Sequence, residues 1–163
     1  MKEKQIVINY KEFDASELTD PELNHLINKA KEASQSSYSP YSEFSVGAAV
    51  LLDNGNVVQG SNQENAAYPS GICAERVAVF YANSNFPENK IIAIAIAAKS
   101  NNEYIDEPIP PCGACRQVLL ESENRNNGQI KLILYGRKRS ILLESVSALL
   151  PVGFNQAFLK KRG

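Results

Sequence analysis

The segment KIIAIAIAA (residues 90–98) is a nearly continuous apolar run, the pattern of a β-strand buried on both faces. Residues 73–82 before it have helical spacing, a second helix begins at the Pro111–Cys112 turn, and a second apolar strand covers residues 130–135. This order of helix, strand, helix and strand favours right-handed crossovers and a sheet with parallel members. The sequence therefore predicts an α/β fold, a three-layer α/β/α sandwich around a mixed sheet.

The chain before this unit carries the strongest local signals. Residues 20–36 have apolar positions at helical spacing, with Asp20 as the N-cap and Pro21 at the first helical position. Two apolar runs at 44–52 and 57–61 flank an Asn-Gly turn, which predicts a β-hairpin.

Weaker signals occupy both ends of the chain. After residue 135, the sequence predicts a strand at 140–143, a helical turn at 145–150 and a final helix at 154–161. Residues 1–19 carry no motif, although Ile6-Val7-Ile8 could form an added strand. We expect an N-terminal extension of unknown role over 1–19 and a single domain over 20–163.

Composition excludes several classes of protein. Seventeen basic and eighteen acidic residues in a chain of 163 provide no positive field to attract a nucleic acid. The longest apolar run, at 91–98, is far shorter than the roughly 20 residues that span a bilayer. No signal-peptide pattern is present, and an odd number of cysteines argues against a disulfide framework. A cytoplasmic protein without nucleic-acid or membrane partners is the expectation.

Three cysteines and one glutamate carry the chemistry. Three thiolates, Cys73, Cys112 and Cys115, can hold one zinc ion and leave a coordination position open for water. Glu75, two residues after the first cysteine, can accept a proton from that water and deliver it to a leaving amine. The pattern predicts hydrolytic chemistry at a zinc centre.

The spacing also predicts how this site is assembled. Cys112 and Cys115 lie three residues apart at the start of one helix, and Cys73 lies at the start of the other. If both helices follow the carboxyl ends of neighbouring parallel strands, the three sulfurs converge. Because three thiolates leave the zinc centre with a net negative charge, we expect Arg76 to donate to the ligand sulfurs and offset it.

Five segments together resemble the small three-cysteine cytidine deaminases. They are YSEFSVGAA (41–49), GSNQENAAY (60–68), CAER (73–76), PCGACRQV (111–118) and LLPVGF (149–154). The resemblance implies zinc-dependent hydrolysis of free cytidine and deoxycytidine to uridine and deoxyuridine, with release of ammonia, in pyrimidine salvage. It also implies a homotetramer with shared active sites.

The resemblance assigns a role to five substrate-binding residues. Phe44 would stack on the pyrimidine, and Asn62 and Glu64 would bind the ribose hydroxyls. The backbone around Ala74, together with the catalytic Glu75, would read the polar edge of the base. Phe154 would reach the pocket of a neighbouring subunit. The loop at 100–109 is longer and more acidic than the family pattern, so the resemblance does not predict the rim of the pocket.

Alternative functions remain open at this point. Cys112-Gly113-Ala114-Cys115 has the spacing of a thiol redox motif, although that reading leaves Cys73 and Glu75 unused. A structural zinc site normally has four protein ligands, and only three cysteines exist. Within deaminases, the enzymes that act on RNA, DNA or deoxycytidylate more often have a histidine at the position of Cys73, and an aminonucleoside such as blasticidin is a further alternative substrate. A phosphorylated substrate is disfavoured because the Glu64 carboxylate would repel it.

Overall fold

The computed structural model describes residues 1–14 and 16–159. The strands in these ranges are β1 (Lys11–Phe13), β2 (Phe44–Leu52), β3 (Val57–Ser61), β4 (Ile91–Ser100), β5 (Glu103–Tyr104), β6 (Lys131–Leu134) and β7 (Ser140–Leu143). The α-helices are α1 (Pro21–Ala33), α2 (Ala74–Asn85) and α3 (Gly113–Asn126). Short 3₁₀ turns cover Ser34–Ser36, Tyr68–Ser70, Val146–Leu149 and Gln156–Phe158.

The strands form one mixed sheet in the order β1-β7-β6-β4-β2-β3, with β5 paired to the end of β4. Among the described residues, β4 and β6 are the one parallel pair, and Ala93 lies opposite Lys131 in their register. The other neighbouring strands are antiparallel, and Phe44 lies opposite Ser100 where β2 pairs with β4. A crossover through α3 joins the two parallel strands, as the sequence predicts.

Alternate residues of the central strand β4 face opposite layers of the molecule. Ala93 and Ala95 belong to the cluster that packs against α1, whereas Ile94 and Ile96 pack against α2 and α3. A strand that buries both faces is apolar throughout, which explains the composition of residues 90–98. The predicted three-layer α/β/α sandwich is confirmed.

The helix and hairpin predicted from the first half of the domain are present. The Asp20 carboxylate accepts hydrogen bonds from the backbone N–H groups of Glu22 (3.0 Å) and Leu23 (3.2 Å), which caps α1. The turn between β2 and β3 needs a left-handed residue, and Gly55 supplies it with φ of 83°. Both hairpin strands have the predicted bounds.

The two ends of the chain differ from the expectation. The added strand forms at Lys11–Phe13, where it pairs with β7, and residues 6–8 are exposed and outside any strand. Phe13 packs against the core on the α1 face, which gives β1 an anchor that Ile6-Val7-Ile8 lack. The final helix is reduced to the 3₁₀ turn Gln156–Phe158, and residues 160–161 of that prediction lie outside the described residues.

The relation between the strands that precede α2 and α3 also differs. β3 and β4 run in the same direction, but the antiparallel strand β2 lies between them, so they are not neighbours. Their carboxyl ends still lie at one end of the sheet, because Ser61 pairs with Gly47 and Ser100 with Phe44 near the start of β2. The two helices therefore begin at that end, although the predicted adjacency is wrong.

The acidic loop at 100–109 is held by the basic turn after β6. Asp106 forms ion pairs with Arg137 (2.7 Å) and Lys138 (2.6 Å). Arg139 pairs with Glu107 (2.5 Å) and also with Glu12 of β1 (3.3 Å). The basic turn thus neutralises carboxylates of the loop, and Arg139 links the loop to the edge strand β1.

None of the helices in the described ranges combines the length and the apolar character needed to cross a membrane.

Candidate metal centre and active site

The three cysteines come together where α2 and α3 begin. Cys73 is the N-cap residue of α2, Cys112 is the N-cap residue of α3, and Cys115 is buried in the first turn of α3. The three Sγ atoms lie within 4.8 Å of one another, and those of Cys73 and Cys112 are 3.8 Å apart. Tetrahedral zinc with Zn–S bonds of ~2.3 Å needs sulfurs ~3.8 Å apart. The donor set and its spacing therefore fit zinc.

The surroundings favour a thiolate at Cys73. A hydrogen bond from Cys115, helped by the Arg76 guanidinium, lowers the pKa of the Cys73 thiol, whereas Cys73 and burial raise the pKa of Cys115. Arg76 donates from Nη2 to the Cys73 sulfur at 3.7 Å. The partial positive charge at the two helix N-termini acts in the same direction. Thiolate is the form that zinc binds.

Glu75 lies in the first turn of α2 and is only 5% exposed. Burial raises the pKa of its carboxyl, and the nearby Cys73 sulfur raises it further. A carboxyl whose pKa is shifted towards neutrality can both accept and return a proton, the property required of a general acid–base group.

A glycine of β3 sets the position of α2. A Cβ atom at Gly60 would lie 2.5 Å from the Ala78 backbone N and 2.7 Å from the Ala74 carbonyl O. Only a residue without a side chain allows the strand and the helix to approach this closely. Gly60 thereby places the helix start that carries Cys73 and Glu75.

A cavity of about 490 Å³ opens beside the metal centre. Its walls include four of the predicted site residues and several residues to which the sequence assigned no role. The lining residues are Tyr41, Ser42, Asn62, Gln63, Glu64, Asn65, Tyr68, Gly71, Ile72, Cys73 and Arg76. Residues of the acidic loop at 100–109 do not contribute to this wall.

Asn62 connects the cavity to the start of β2. Its Oδ1 accepts hydrogen bonds from the Val46 N–H (2.8 Å) and the Ser37 hydroxyl (2.5 Å), and its Nδ2 donates to the Phe44 carbonyl (2.9 Å). One N–H of the amide keeps its capacity to donate to a ligand.

Glu64 is held by the turn that precedes β2. Its Oε1 accepts from the Ser42 hydroxyl (2.5 Å), and its Oε2 accepts from the backbone N–H groups of Tyr41 (2.9 Å) and Ser42 (3.3 Å). The Ser42 hydroxyl and the Tyr41 N–H lower the pKa of the Glu64 carboxyl. The side chain is therefore a fixed, charged acceptor.

Three of the predicted substrate-binding residues lie outside this wall. Phe44 is half-buried at the start of β2, and Ala74 is fully buried under the first turn of α2. Phe154 is 56% exposed and stacks on Phe158 at 5.8 Å, while its carbonyl accepts from Gln117 Nε2 on α3 (2.8 Å). Within this subunit the structure does not bring Phe154 to the cavity.

Sequence reasoning missed the aromatic part of the wall. The rings of Tyr41 and Tyr68 meet edge to face with centroids 6.0 Å apart. Both residues fall in segments that carry the family resemblance, but no spacing rule joins residues from two separate loops.

Comparison with known proteins identifies the family. The model of the "cytidine and deoxycytidylate deaminase zinc-binding region" matches residues 21–127, which include all three cysteines. A cytidine deaminase from Halalkalibacterium halodurans is 42% identical over 129 residues, covering 79% of this chain and 91% of that protein. One from Sporosarcina psychrophila is 38% identical, covering 83% and 93%.

A solved structure agrees with these sequence matches. The crystal structure of cytidine deaminase from Burkholderia pseudomallei is 37% identical and superposes with a TM-score of 0.67, covering 80% of this chain and 97% of that one. The chain belongs to the cytidine and deoxycytidylate deaminase family.

Proposed function

We propose that this protein hydrolyses free cytidine and deoxycytidine to uridine and deoxyuridine, with release of ammonia, and serves pyrimidine salvage. The observation that carries the proposal is the three-sulfur cluster, with the spacing for zinc, beside the buried carboxyl of Glu75. The relatives named cytidine deaminase support this substrate class and give no support to an aminonucleoside such as blasticidin.

Cys73, Cys112 and Cys115 would hold one zinc ion per subunit, and bound zinc supplies a Lewis acid that makes water a better nucleophile near neutral pH. Glu75 accepts a proton from the attacking water and delivers it to the ring nitrogen of the pyrimidine. As the new C–O bond becomes the carbonyl, Glu75 passes the remaining proton to the amine and the C–N bond breaks. Water and cytidine are thereby converted to uridine and ammonia.

Arg76 offsets the negative charge of the sulfur cluster in this scheme. Its guanidinium donates to the Cys73 sulfur, which withdraws electron density from a ligand that would otherwise weaken the acidity of the metal. The role is supported by the direction of the Arg76 side chain, which also lines the cavity.

Four further residues form the nucleoside site in this proposal. Asn62 donates and Glu64 accepts at the ribose hydroxyls, Phe44 stacks on the pyrimidine, and the Ala74 backbone reads the polar edge of the base. The position of Asn62 and Glu64 in the cavity wall supports the first part. A fixed carboxylate here would repel a substrate phosphate, which favours an unphosphorylated nucleoside.

The proposal includes a homotetramer in which Phe154 contributes to the site of a neighbouring copy. Val152 is 89% exposed, and Phe154, Phe158 and the α2 residues Phe80 and Tyr81 are also exposed. Phe154 and Phe158 stack on each other at the surface, and exposed large apolar side chains in contact are typical of faces buried between subunits. We also propose a cytoplasmic location, because the three cysteines must remain reduced to hold a metal.

The test is to measure zinc content and ammonia release together on the purified protein, with cytidine, deoxycytidine and their monophosphates offered in parallel. We expect one zinc per chain and turnover of the nucleosides that is lost with a strong chelator. A metal-free protein that cycles between dithiol and disulfide would instead support the thiol redox function.

A further inference from the structure

The hydroxyl of Ser42 joins the two residues proposed to bind opposite ends of the nucleoside. It donates to Glu64 Oε1 at 2.5 Å and accepts from the backbone N–H of Phe44 at 3.1 Å. We propose that Ser42 is a positioning residue that aims the Glu64 carboxylate at a sugar hydroxyl of the substrate and so sets selectivity for the sugar. This inference rests on the proposed nucleoside deamination.

The bonding of the Glu64 carboxylate leaves one acceptor position on a defined oxygen. Each carboxylate oxygen can accept two hydrogen bonds. Oε2 already accepts two, from the N–H groups of Tyr41 and Ser42, whereas Oε1 accepts one, from the Ser42 hydroxyl. The remaining site on Oε1 is available to one hydroxyl donor. Loss of the Ser42 hydroxyl would free Oε1 to turn away from the cavity.

The backbone of the same turn is held in a costly conformation. Glu43 has φ of 55°, in the left-handed region that costs about 1–2 kcal/mol for a residue with a side chain. Its N–H donates to the Ser39 carbonyl (3.0 Å), and the two residues before it are bonded to Glu64. The turn and the carboxylate therefore fix one another, and Ser42 is the side chain that links them.

The location of Ser42 shows that its side chain does not serve the packing of the core. Its side chain is exposed and lines the cavity, so its loss removes no buried volume. A surface hydrogen bond of this kind adds little to the stability of the fold, which leaves substrate selection as the property that it can change.

The experiment compares Ser42→Ala with wild type on cytidine and on 2′,3′-dideoxycytidine, which lacks both sugar hydroxyls. We expect the KM for cytidine to rise about tenfold, the loss of one charge-assisted hydrogen bond, while kcat and zinc content are retained. The KM for dideoxycytidine should rise much less, because that substrate has no hydroxyl for Glu64. Ser42→Thr, which keeps the hydroxyl, should restore the KM for cytidine.

Ser84→Ala, a change of the same type at an exposed serine of α2, is the control and should match wild type. An equal rise in KM for both substrates, or no rise for either, would overturn the positioning role. A wild-type protein that releases no ammonia from cytidine would overturn the proposed function itself, and this inference with it.

Discussion

Glu75 combines two properties that are seldom found in one carboxyl: it is buried, and it stands beside an anionic sulfur. Both raise its pKa, because burial and a like charge disfavour ionisation. Proton transfer is most effective when the group can exist in either state near the working pH.

The Glu75→Gln variant tests this role. An amide has nearly the same shape but cannot carry a proton between water and substrate, so turnover should fall about 10²- to 10⁴-fold. Zinc content should remain at the wild-type level, since Glu75 is not one of the three sulfur ligands. Steady-state ammonia release and metal analysis on the same sample measure both effects, and retained turnover would refute the role.

Single residues differ in how far the sequence reveals them. The three cysteines and Glu75 could be predicted because metal chemistry restricts residue type and spacing together. Ser42 and Tyr68 could not, because their place in the cavity wall depends on turn conformations that no periodicity encodes. The hydrogen bonds of Asn62 to β2 likewise depend on strand pairing, which becomes known only once the sheet is assembled.

At the scale of the elements, the close contact between β3 and α2 bears directly on the metal centre. The Gly60→Ala variant places a methyl group against the backbone of the helix, where no side chain can move aside. We expect a loss of about 1–3 kcal/mol in the free energy of unfolding. Zinc affinity and activity should also fall, because α2 carries Cys73 and Glu75 while the other two ligands lie on α3.

Gly128→Ala is the matched control for this prediction. A Cβ atom at Gly128 would meet its nearest neighbour, the Asn126 carbonyl, at an ordinary 3.9 Å. The Gly60→Ala variant should unfold at a lower temperature and hold less zinc than the Gly128→Ala variant. Equal unfolding temperatures for the two variants would contradict the prediction, because they would show that α2 can move away from β3 at no cost in stability.

The elements that could be predicted are those with a strong pattern in the sequence. The β2–β3 hairpin has the predicted bounds because an apolar pattern and a glycine turn coincide. The position of β2 between β3 and β4 was not predictable, since local sequence fixes an element but not its neighbour in the sheet. The sequence predicts a loop where β5 forms, because a two-residue strand has no periodicity to detect.

At the scale of the whole molecule, the exposed Phe154 bears on the proposed sharing of sites between subunits. Co-expression of Phe154→Ala with Glu75→Gln should form mixed tetramers. Sites that pair an intact Glu75 with an intact Phe154 from another copy would then recover activity, about a quarter of all sites after random mixing. Ammonia release by the co-expressed pair is compared with that of each variant alone.

Separately purified variants, mixed without subunit exchange, provide the baseline for this measurement. If Phe154 acts within its own chain, co-expression will give no more activity than the Phe154→Ala variant alone. Size measurement of each preparation checks that the tetramer forms in every case.

The sulfur cluster has a consequence for folding. Cys73 and Cys112 are separated by 39 positions in the chain, and the intervening segment contains α2, β4 and β5. An ion held between them acts as a cross-link that closes this long loop and restricts the denatured chain more than the folded one. The same metal that serves the chemistry would therefore also hold the starts of α2 and α3 together, so that catalytic competence and resistance to unfolding are gained or lost together.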